Sequence, residues 1–433
     1  MRIYDIIDKK RHGLKLSREE IEFVVSSYMK SEIADYQVSS LLMAICINSM
    51  DDEETSDLTR AMIESGEVLN LSMLGEHTVD KHSTGGIGDK TTLIVAPIVA
   101  SLGCTVAKMS GRGLGFTGGT VDKLESIDGF KTELEPADFL SQAKDCGLVV
   151  VGQSANLVPA DKKLYALRDV TATIESIPLI ASSIMSKKIA SGSKSIVLDV
   201  KVGSGAFMKN QESAKALAQA MIKIGKSFDR RVTCVISNMD VPLGYAIGNS
   251  VELWEAIEVL SGRGECNLRE LCLTVSASMV SSCKGVEYSE SKKLVNNAIS
   301  SGKALNKFYE WIEKQGGDVS KVQASSKLLG AKFKKEIISG NDGYISSLDA
   351  KKIGIAAMSL GAGRVKKEDK IDHLAGIVLN KSYGDYIKCG ELVATMYASN
   401  EGLFDGASKI FSEAISLSEN EPKKKTLIYE IIK

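Results

Sequence analysis

Two glycine-rich segments constrain the fold of this chain more than any other feature. They lie about 30 residues apart, which is the spacing of consecutive strand and helix units. They cover residues 81–89 and 108–120. Each follows a short β-like apolar run, at 77–81 and 104–109, and each precedes a helix-like run. This repeated order of strand, loop and helix predicts a mostly parallel sheet, because parallel strands need a crossover connection between them.

Both glycine-rich loops carry groups that bind a phosphate. Each contains a Lys-x-Ser sequence, with Lys81 and Ser83 in the first loop and Lys108 and Ser110 in the second, and Thr120 ends the second loop. Lysine supplies a point charge, hydroxyls donate hydrogen bonds, and the free N–H groups at a helix start attract an anion. In a single loop the glycines would equally fit a simple tight turn. The order shared by both loops favours a phosphate site.

Two common phosphate-binding motifs do not fit these loops. Neither loop ends in the Gly-Lys-Ser/Thr sequence of a P-loop. The glycine spacing also differs from the dinucleotide fingerprint, and no second strand ends in an acidic residue where a ribose would need one.

Length and hydrophobic periodicity predict an α/β protein of three parts. At 433 residues the chain exceeds the size at which one core keeps growing. Helical spacing places 1–70 and 159–190 in a discontinuous all-helical lobe, and alternating short strands and helices place 71–158 and 191–330 in an α/β phosphate-binding lobe. Strand-like runs between turn signals make 331–433 a C-terminal α+β domain. The repeated crossings between the first two lobes are expected to act as hinges.

Composition excludes several classes of protein. The 54 basic residues nearly balance the 55 acidic ones, which argues against a nucleic-acid partner and against binding at a membrane surface. The eight cysteines are scattered without a C-x-x-C pair, so they predict a reducing compartment rather than a disulfide or zinc framework. No apolar run reaches the length of a membrane span, and no secretion signal is recognised. We therefore expect a cytoplasmic protein.

A second cluster of polar residues lies in the returning helices. A helix is predicted with Pro178 in its first turn and Gly192 near its end. Ser183 and Lys187 lie four residues apart and share one face of this helix, and Arg168 lies in the helix before it. These donors and cations match a heterocycle with two carbonyls and an N–H, such as a pyrimidine. The alternative is a solvated helix with ordinary surface cations.

Long motifs connect these features to a known family. Residues 110–125 (SGRGLGFTGGTVDKLE), 164–173 (LYALRDVTAT), 199–208 (DVKVGSGAFM) and 242–249 (PLGYAIGN) resemble the thymidine and pyrimidine-nucleoside phosphorylases. The resemblance covers essentially the whole chain. It implies a homodimer with a helical lobe, an α/β lobe and a C-terminal domain, and an active site in the cleft between the first two.

The resemblance also implies a reaction. It is the reversible phosphorolysis of pyrimidine nucleosides, namely uridine, thymidine and deoxyuridine, to the free base and (deoxy)ribose 1-phosphate in nucleotide salvage. Inorganic phosphate is the co-substrate and no organic cofactor is needed. Phosphate is already an anionic nucleophile, so the enzyme has to position it, stabilise a cation-like sugar and accept charge on the leaving base.

By resemblance, individual residues take roles in this reaction. The phosphate would be held by Lys81, Ser83, Thr92, Lys108, Ser110 and Thr120. The base would be bound by Arg168, Ser183 and Lys187. Arg168 and Lys187 would stabilise the departing anion, and Asp161 and Asp169 are expected to orient Arg168. His82 would hydrogen-bond or protonate a base carbonyl as an imidazole that titrates near neutrality, the alternative being a structural turn histidine.

The resemblance further suggests a monovalent cation near the first loop. Bacterial relatives bind a potassium ion through backbone carbonyls and one carboxylate. The corresponding residues here are Gly88, Lys90, Leu243, Ala246 and Glu255. Such an ion would brace the first phosphate loop. The alternative is that Glu255 simply lies on the polar side of its helix.

One residue departs from the family pattern. The second loop has Phe116 where these phosphorylases usually have histidine. Phenylalanine cannot donate a hydrogen bond, so a contact that locks the loop or closes the lobes is expected to be lost or replaced by packing. Phosphate binding is expected to survive.

Two other functions are considered. A phosphoribosyltransferase of the anthranilate type has a related fold and a similar Gly-Gly loop, but it binds a diphosphate ester through Mg²⁺ and would need an acidic pair in the cleft. A nucleoside-binding protein without catalysis is the other alternative. Release of base from uridine or thymidine only when phosphate is present would identify a phosphorylase.

Overall fold

The N-terminal part of the chain is helical, as its periodicity predicts. A computed structural model describes residues 1–113, 116, 118–366 and 368–433. Its first four helices are α1 (Ile3–Arg11), α2 (Arg18–Met29), α3 (Asp35–Asn48) and α4 (Asp52–Glu64). The start of α2 is capped reciprocally: Ser17 Oγ accepts from Glu20 N at 3.3 Å, and Glu20 Oε2 accepts from Ser17 N at 2.7 Å. This pair satisfies two backbone N–H groups at the helix start.

The middle of the chain alternates strands and helices and then becomes helical. Its strands are β1 (Val79–Ser83), β2 (Val106–Ser110), β3 (Leu148–Gly152), β4 (Ser195–Val202), β5 (Arg231–Asn238) and β6 (Ala246–Gly248). Its first helices are α5 (Thr91–Ser101), α6 (Thr120–Leu124), α7 (Pro136–Cys146), α8 (Pro159–Val170), α9 (Ile177–Ala190) and α10 (Gln211–Ser227). Those that follow β6 are α11 (Ser250–Leu260), α12 (Cys266–Lys284), α13 (Tyr288–Ser300), α14 (Lys303–Lys314) and α15 (Val319–Gln323).

The last part of the chain mixes short strands with two helices. The strands are β7 (Phe333–Ile338), β8 (Gly343–Leu348), β9 (Gly376–Leu379), β10 (Tyr386–Ile387), β11 (Leu392–Ala398), β12 (Ile415–Ser418) and β13 (Ile428–Ile432). The helices are α16 (Ala350–Ala357) and α17 (Phe404–Ser412). Shorter 3₁₀ or π-helical turns cover Ser72–Leu74, Ser325–Leu329, Met358–Ala362 and Glu401–Leu403.

The central sheet is mostly parallel, as predicted. β1 pairs with β4 and β4 with β5, while β2 pairs with β3, all in parallel register. A parallel bridge between Thr78 and Thr105 connects the two groups, which gives the strand order β3, β2, β1, β4, β5. From β1 the chain adds β2 and β3 on one side of the sheet and then β4 and β5 on the other, so the strand order reverses at β1. In open α/β sheets, ligands bind beyond the carboxyl ends of the strands at such a reversal.

The three crossings between the helical lobe and the sheet lie side by side. Glu67 N donates to Asn156 O at 3.0 Å, and Leu69 N donates to Ala190 O at 2.8 Å. Gly192, just after α9, has φ +89°, and a Cβ there would lie 2.5 Å from Leu69 O. The left-handed backbone and the close approach together require glycine at this crossing.

Two strands, β6 and β13, pair with a sheet that is formed mainly by another part of the chain. β6 pairs with β9 and so extends the sheet formed by β9, β11 and β7. Conversely, β13 runs antiparallel to β5 at the edge of the central sheet, with Ile432 opposite Cys234. The segment 331–433 therefore contributes one strand to the α/β lobe, which the sequence patterns did not indicate.

The hydrophobic cores follow the three-part architecture. One core combines helices of the N-terminal lobe with α9, α10 and one face of β4 and β5. A second core packs α5, α11, α12 and α14 on the opposite face of the sheet, and a third lies in the C-terminal domain. Within the described residues, no helix is both long and apolar enough to cross a membrane.

Candidate active site

The two Lys-x-Ser sequences lie next to each other at the carboxyl end of the sheet. Because Thr78 bridges Thr105 in parallel register, Lys81 and Lys108 occupy the same level on neighbouring strands. The ammonium of Lys108 donates to the backbone carbonyl of Lys81. Ser83 is the last residue of β1 and Ser110 the last of β2. The strand register thus brings both loops to one place.

Asp80 organises the cations at this edge. It is completely buried, and its two carboxylate oxygens accept from Lys108 Nζ at 3.2 Å and from Lys188 Nζ at 2.6 Å. Lys188 also donates to Met109 O at 3.3 Å. Burial alone would raise the pKa of Asp80, but the two lysines outweigh it and hold the pKa below its ordinary value. An ionised carboxylate therefore fixes two buried ammonium groups.

Lys81 contacts residues at the end of its own loop and at the start of α5. Its ammonium donates to Thr91 Oγ1 and lies 3.7 Å from Asp89 Oδ1. Burial would raise the pKa of Asp89, but the charges of Lys81 and Lys201 keep it well below its ordinary value. The Lys81 side chain is only 4% exposed. The strand end and the helix start of this unit therefore close around one cation.

These contacts leave an excess of positive charge. Lys81, Lys108 and Lys188 face two carboxylates, those of Asp80 and Asp89. Burial lowers the pKa of Lys108 to about 7, with the neighbouring lysines adding to the effect and Asp80 opposing it. A buried site with surplus cations is stabilised by an anion.

His82 lies among these cations and does not titrate near neutrality. Its pKa is lowered well below the ordinary value, first by burial and then by the charges of Lys188, Lys108, Lys187 and Lys81. The expectation of a histidine that is partly protonated at neutral pH is therefore wrong for the ligand-free protein. The imidazole is neutral and has one N–H to donate.

The predicted base cluster is formed on α8 and α9. Lys187 Nζ donates to Ser183 Oγ at 2.9 Å, as their spacing on one helix face predicts. It also donates to Asp161 Oδ2. Asp161 is thus paired with Lys187, and the expected role of orienting Arg168 by a direct contact is wrong. Lys187 stays accessible, with its side chain 21% exposed.

Arg168 is held by backbone carbonyls. Its Nε donates to Thr173 O at 3.2 Å, and its two terminal nitrogens donate to Leu179 O at 3.1 Å and Ile174 O at 2.9 Å. Burial lowers the pKa of its guanidinium, while the charge of Asp161 opposes this. These bonds use three of the five donors of the guanidinium and fix its plane against the loop before α9.

Helix α9 contacts both the predicted base cluster and the strands that carry the two phosphate loops. Lys187 faces α8 and Asp161, whereas its neighbour Lys188 reaches β1 and β2 through Asp80. The charge of Lys187 also acts on His82, in the first glycine loop. Adjacent residues of α9 therefore contact both the base cluster and the strands that carry the phosphate loops.

The remaining predicted phosphate ligands lie at the starts of helices. Thr92 is the second residue of α5 and is 6% exposed. Thr120 begins α6, which is only five residues long. Ser83 Oγ accepts from Gly85 N at 3.3 Å. Leu114, Gly115 and Thr117 of the second loop lie outside the described residues.

Phe116 contacts the C-terminal domain. Its ring lies 5.6 Å from Lys351 Nζ, and it packs beside the hydrophobic core of that domain. A Cβ added at Gly354 of α16 would lie 2.8 Å from Phe116 O. Arg364, also in the C-terminal domain, donates to Asp122 Oδ1 at 2.8 Å and to Gly113 O at 3.3 Å. The second loop is thus supported from the C-terminal side.

The predicted cation ligands lie close together, but they surround the side-chain ammonium of Lys90. Lys90 Nζ donates to Leu243 O at 2.8 Å, to Ala246 O at 2.9 Å and to Glu255 Oε2 at 2.6 Å. Lys90 was expected to supply a backbone carbonyl, whereas its ammonium takes the place of the ion. These residues fit an ammonium and do not fit a potassium ion beside it.

Sequence reasoning missed Asp80, Lys188 and Arg364. Asp80 and Lys188 gave no local signal, because β1 (VDKHS) is mostly polar and Lys188 follows a second lysine in α9. Arg364 gave none either, because its contact is made between domains.

Comparison with known proteins identifies the class and then the family. Three family models match: the helical bundle domain of the glycosyl transferase family over residues 4–66, its a/b domain over 75–305, and the pyrimidine nucleoside phosphorylase C-terminal domain over 344–418. The chain is therefore an enzyme of the glycosyl-transferring kind. It belongs to the pyrimidine-nucleoside phosphorylase family, which confirms the resemblance and the three-part fold expected from the sequence.

Individual relatives match over their whole length. The chain is 53% identical to the pyrimidine-nucleoside phosphorylase of Staphylococcus haemolyticus and 51% identical to that of Geobacillus stearothermophilus, with 100% of each chain covered. Among solved structures, anthranilate phosphoribosyltransferase from Thermus thermophilus aligns with a TM-score of 0.59 at 17% identity. That alignment covers 71% of this chain and 98% of the other, and it reflects a shared fold only.

Proposed function

We propose that the protein catalyses the reversible phosphorolysis of pyrimidine nucleosides, with uridine, thymidine and deoxyuridine as substrates, in nucleotide salvage. The observation that carries the proposal is the position of α9, whose adjacent residues Lys187 and Lys188 contact Asp161 of α8 and Asp80 of β1. An anion held by the loops would therefore face a base held by the helices.

Inorganic phosphate would bind at the carboxyl ends of β1 and β2. Its ligands would be Lys81, Ser83, Thr92, Lys108, Ser110 and Thr120. The surplus of ammonium groups over carboxylates favours a dianion there, and the hydroxyls at the two strand ends would donate to its oxygens. Lys188 would act indirectly, because it helps Asp80 to hold Lys108 in position.

The base would bind between α8 and α9. Arg168, Ser183 and Lys187 would contact its carbonyl and N–H groups. Lys187 would stabilise the negative charge that develops on the leaving base, and Asp161 would keep its ammonium oriented. His82 would donate an N–H to a base carbonyl as a neutral imidazole.

In this mechanism no protein nucleophile is needed. A phosphate oxygen would form a bond to C1′ of the sugar as the bond from C1′ to the base nitrogen breaks, and the electron pair of that bond would pass into the base. Closure of the lobes about the side-by-side crossings would bring the two reactants together and exclude water.

The direct test is the absorbance change of uridine or thymidine with and without phosphate. Release of base only with phosphate is the expected result. Release without phosphate would indicate a hydrolase, and binding without release would indicate a nucleoside-binding protein. A comparison of uridine, thymidine and deoxyuridine rates would then establish the preference, which depends on contacts to one hydroxyl and one methyl group.

We also propose a cytoplasmic homodimer that uses the exposed face of α3. Tyr36, Met43 and Ile47 lie on one side of this helix, and Tyr36 and Ile47 are both 74% exposed. Apolar side chains grouped in this way favour burial against a second copy. Light scattering should give twice the chain mass, and Ile47→Glu should shift it towards the monomer. A parent protein that stays monomeric would refute the proposal.

A further inference from the structure

The ammonium of Lys90 is fully enclosed and fully bonded. The residue is 0% exposed, and the three N–H groups of its ammonium match three acceptors, the carbonyls of Leu243 and Ala246 and the carboxylate of Glu255. An ammonium group has nearly the radius of a potassium ion, so one oxygen cage accommodates either. Here the cation is attached to the chain.

The rest of the cage leaves no place for a second cation. The other predicted ligands are occupied, since Gly88 O accepts from Lys90 N and Lys90 O accepts from Leu93 N, each at 2.9 Å. The backbone at Gly88 is close as well, because a Cβ there would lie 3.4 Å from Lys90 Nζ and 2.5 Å from Leu243 O. A metal ion would have to displace these contacts.

The charges around Lys90 also argue against a second cation in the cage. Glu255 is the carboxylate that contacts Lys90 within the described residues, and it also accepts from the backbone N–H groups of Tyr245 and Ala246 at 2.7 and 2.8 Å. The nearby Glu252 is paired with Lys123 at 3.3 Å. Lys90 and Glu255 together are neutral, so an added ion would bring an uncompensated buried charge.

The position of Lys90 links this cage to the phosphate loop. Its neighbours in the chain, Asp89 and Thr91, are the residues that contact the ammonium of Lys81. On its other side the cage includes Ala246, the first residue of β6, which pairs with the sheet of the C-terminal domain. Lys90 therefore holds the first loop against α11 and the C-terminal domain.

We infer that Lys90 is a built-in monovalent cation that replaces the potassium ion of related enzymes, so that stability and turnover are independent of external cations. A bound ion stabilises a protein in proportion to the logarithm of its concentration, whereas a covalently attached ammonium is always present. Only the activity part of this inference rests on the proposed function.

The test compares the parent protein with Lys90→Ala and Lys90→Met. Lys90→Ala opens the cage and leaves Glu255 without a cation. Lys90→Met also removes the charge but fills the space with a side chain of similar length. Thermal unfolding and uridine phosphorolysis are measured at constant ionic strength in KCl, NH₄Cl or tetramethylammonium chloride, whose cation is too large for the cage.

The parent should unfold at the same temperature and react at the same rate in all three salts. In tetramethylammonium, Lys90→Ala should lose about 5 °C in Tm and about tenfold in rate. K⁺ or NH₄⁺ should restore both in a saturable way, and Lys90→Met should show no such recovery.

Two results would overturn the inference. One is a saturable rise of the Tm of the parent with K⁺, which needs no variant to fold. The other is a Lys90→Ala protein that responds to K⁺ no more than Lys90→Met does. If the parent cleaves no nucleoside, the proposed function fails, but the unfolding measurements still decide the role of Lys90.

Discussion

The two halves of the proposed site, the phosphate side at β1 and β2 and the base side at α8 and α9, hold their cations differently. On the phosphate side, Lys81, Lys108 and Lys188 are at most 4% exposed and each lies beside a carboxylate that is at most 10% exposed. On the base side, Lys187 is 21% exposed, and Arg168 donates only to backbone carbonyls. The first arrangement fixes each cation in an ion pair of low exposure. The second leaves one cation accessible to solvent.

The largest effect is expected from Lys81→Ala, on the phosphate side. Loss of a preorganised cation should lower kcat/KM by about 1000-fold and raise the KM for phosphate. Steady-state kinetics with varied phosphate would measure this. Lys162→Ala, which removes an exposed lysine of α8, is the control and should behave as the parent. Phosphate saturation that is the same in parent and Lys81→Ala would remove Lys81 from the site.

Lys187→Ala should have the next largest effect, and mainly on the chemical step. The leaving base would lose its compensating charge, so kcat should fall by about 100-fold while the KM for phosphate changes little. Single-turnover kinetics would isolate the step. Asp161→Asn should give a smaller loss of the same kind, because it leaves the ammonium in place but less well oriented. An unchanged single-turnover rate in a folded Lys187→Ala protein would contradict the assignment.

Gly192→Pro tests whether the helical lobe has to move towards the α/β lobe during the reaction. Proline cannot adopt the observed φ of +89°, and its ring would approach the carbonyl of Leu69. We expect kcat and kcat/KM to fall by about tenfold through impaired closure. Gly390→Pro, at a positive-φ glycine of the C-terminal domain with open space around it, is the matched control. Equal kinetics in both variants and the parent would refute a hinge at Gly192.

The smallest effect is a pH dependence of anion affinity on the phosphate side. Lys108 has a pKa of about 7 in the ligand-free protein, so it loses its charge as the pH rises through that value. A bound anion favours the protonated form, so binding takes up a proton and weakens above pH 7. Sulfate, which keeps its charge, should bind about threefold less tightly at pH 7.5 than at pH 6.5.

Calorimetry in buffers of different ionisation enthalpy would detect this proton uptake. Asp80, Lys81 and Lys188 face the same ammonium. The pKa of Asp80 is held below its ordinary value and that of His82 is lowered, so neither group accounts for proton uptake in this range. In Lys108→Arg the dependence should disappear, because guanidinium does not titrate there. A sulfate affinity that is constant with pH in the parent would contradict the prediction.

The two sides also differ in how far the sequence alone could predict them. The phosphate loops repeat one local pattern, Lys-x-Ser followed by glycines, and each pattern fixes its own backbone. The register that aligns Lys81 with Lys108 then follows from parallel strand pairing. The ion pairs through Asp80 were not predicted, because Lys188 meets it only through tertiary packing.

On the base side, helical periodicity sufficed for the contact between Ser183 and Lys187, which is local. The pairing of Asp161 with Lys187 could not be derived, since it depends on how α8 packs on α9. The lowered pKa of His82 depends on burial and on four lysines from three separate segments, β1, β2 and α9. The position of the Lys90 ammonium depends on the path of its side chain, which residue spacing does not determine.

The strand β13 has a consequence for the order in which the molecule is completed. It protects the edge of the central sheet beside β5, although it is synthesised long after that strand. While the ribosome is still making the C-terminal domain, the N–H and C=O groups along that side of β5 are open to other chains. Nascent or truncated protein that lacks 428–432 should therefore self-associate through this edge, whereas a chain that contains β13 covers it.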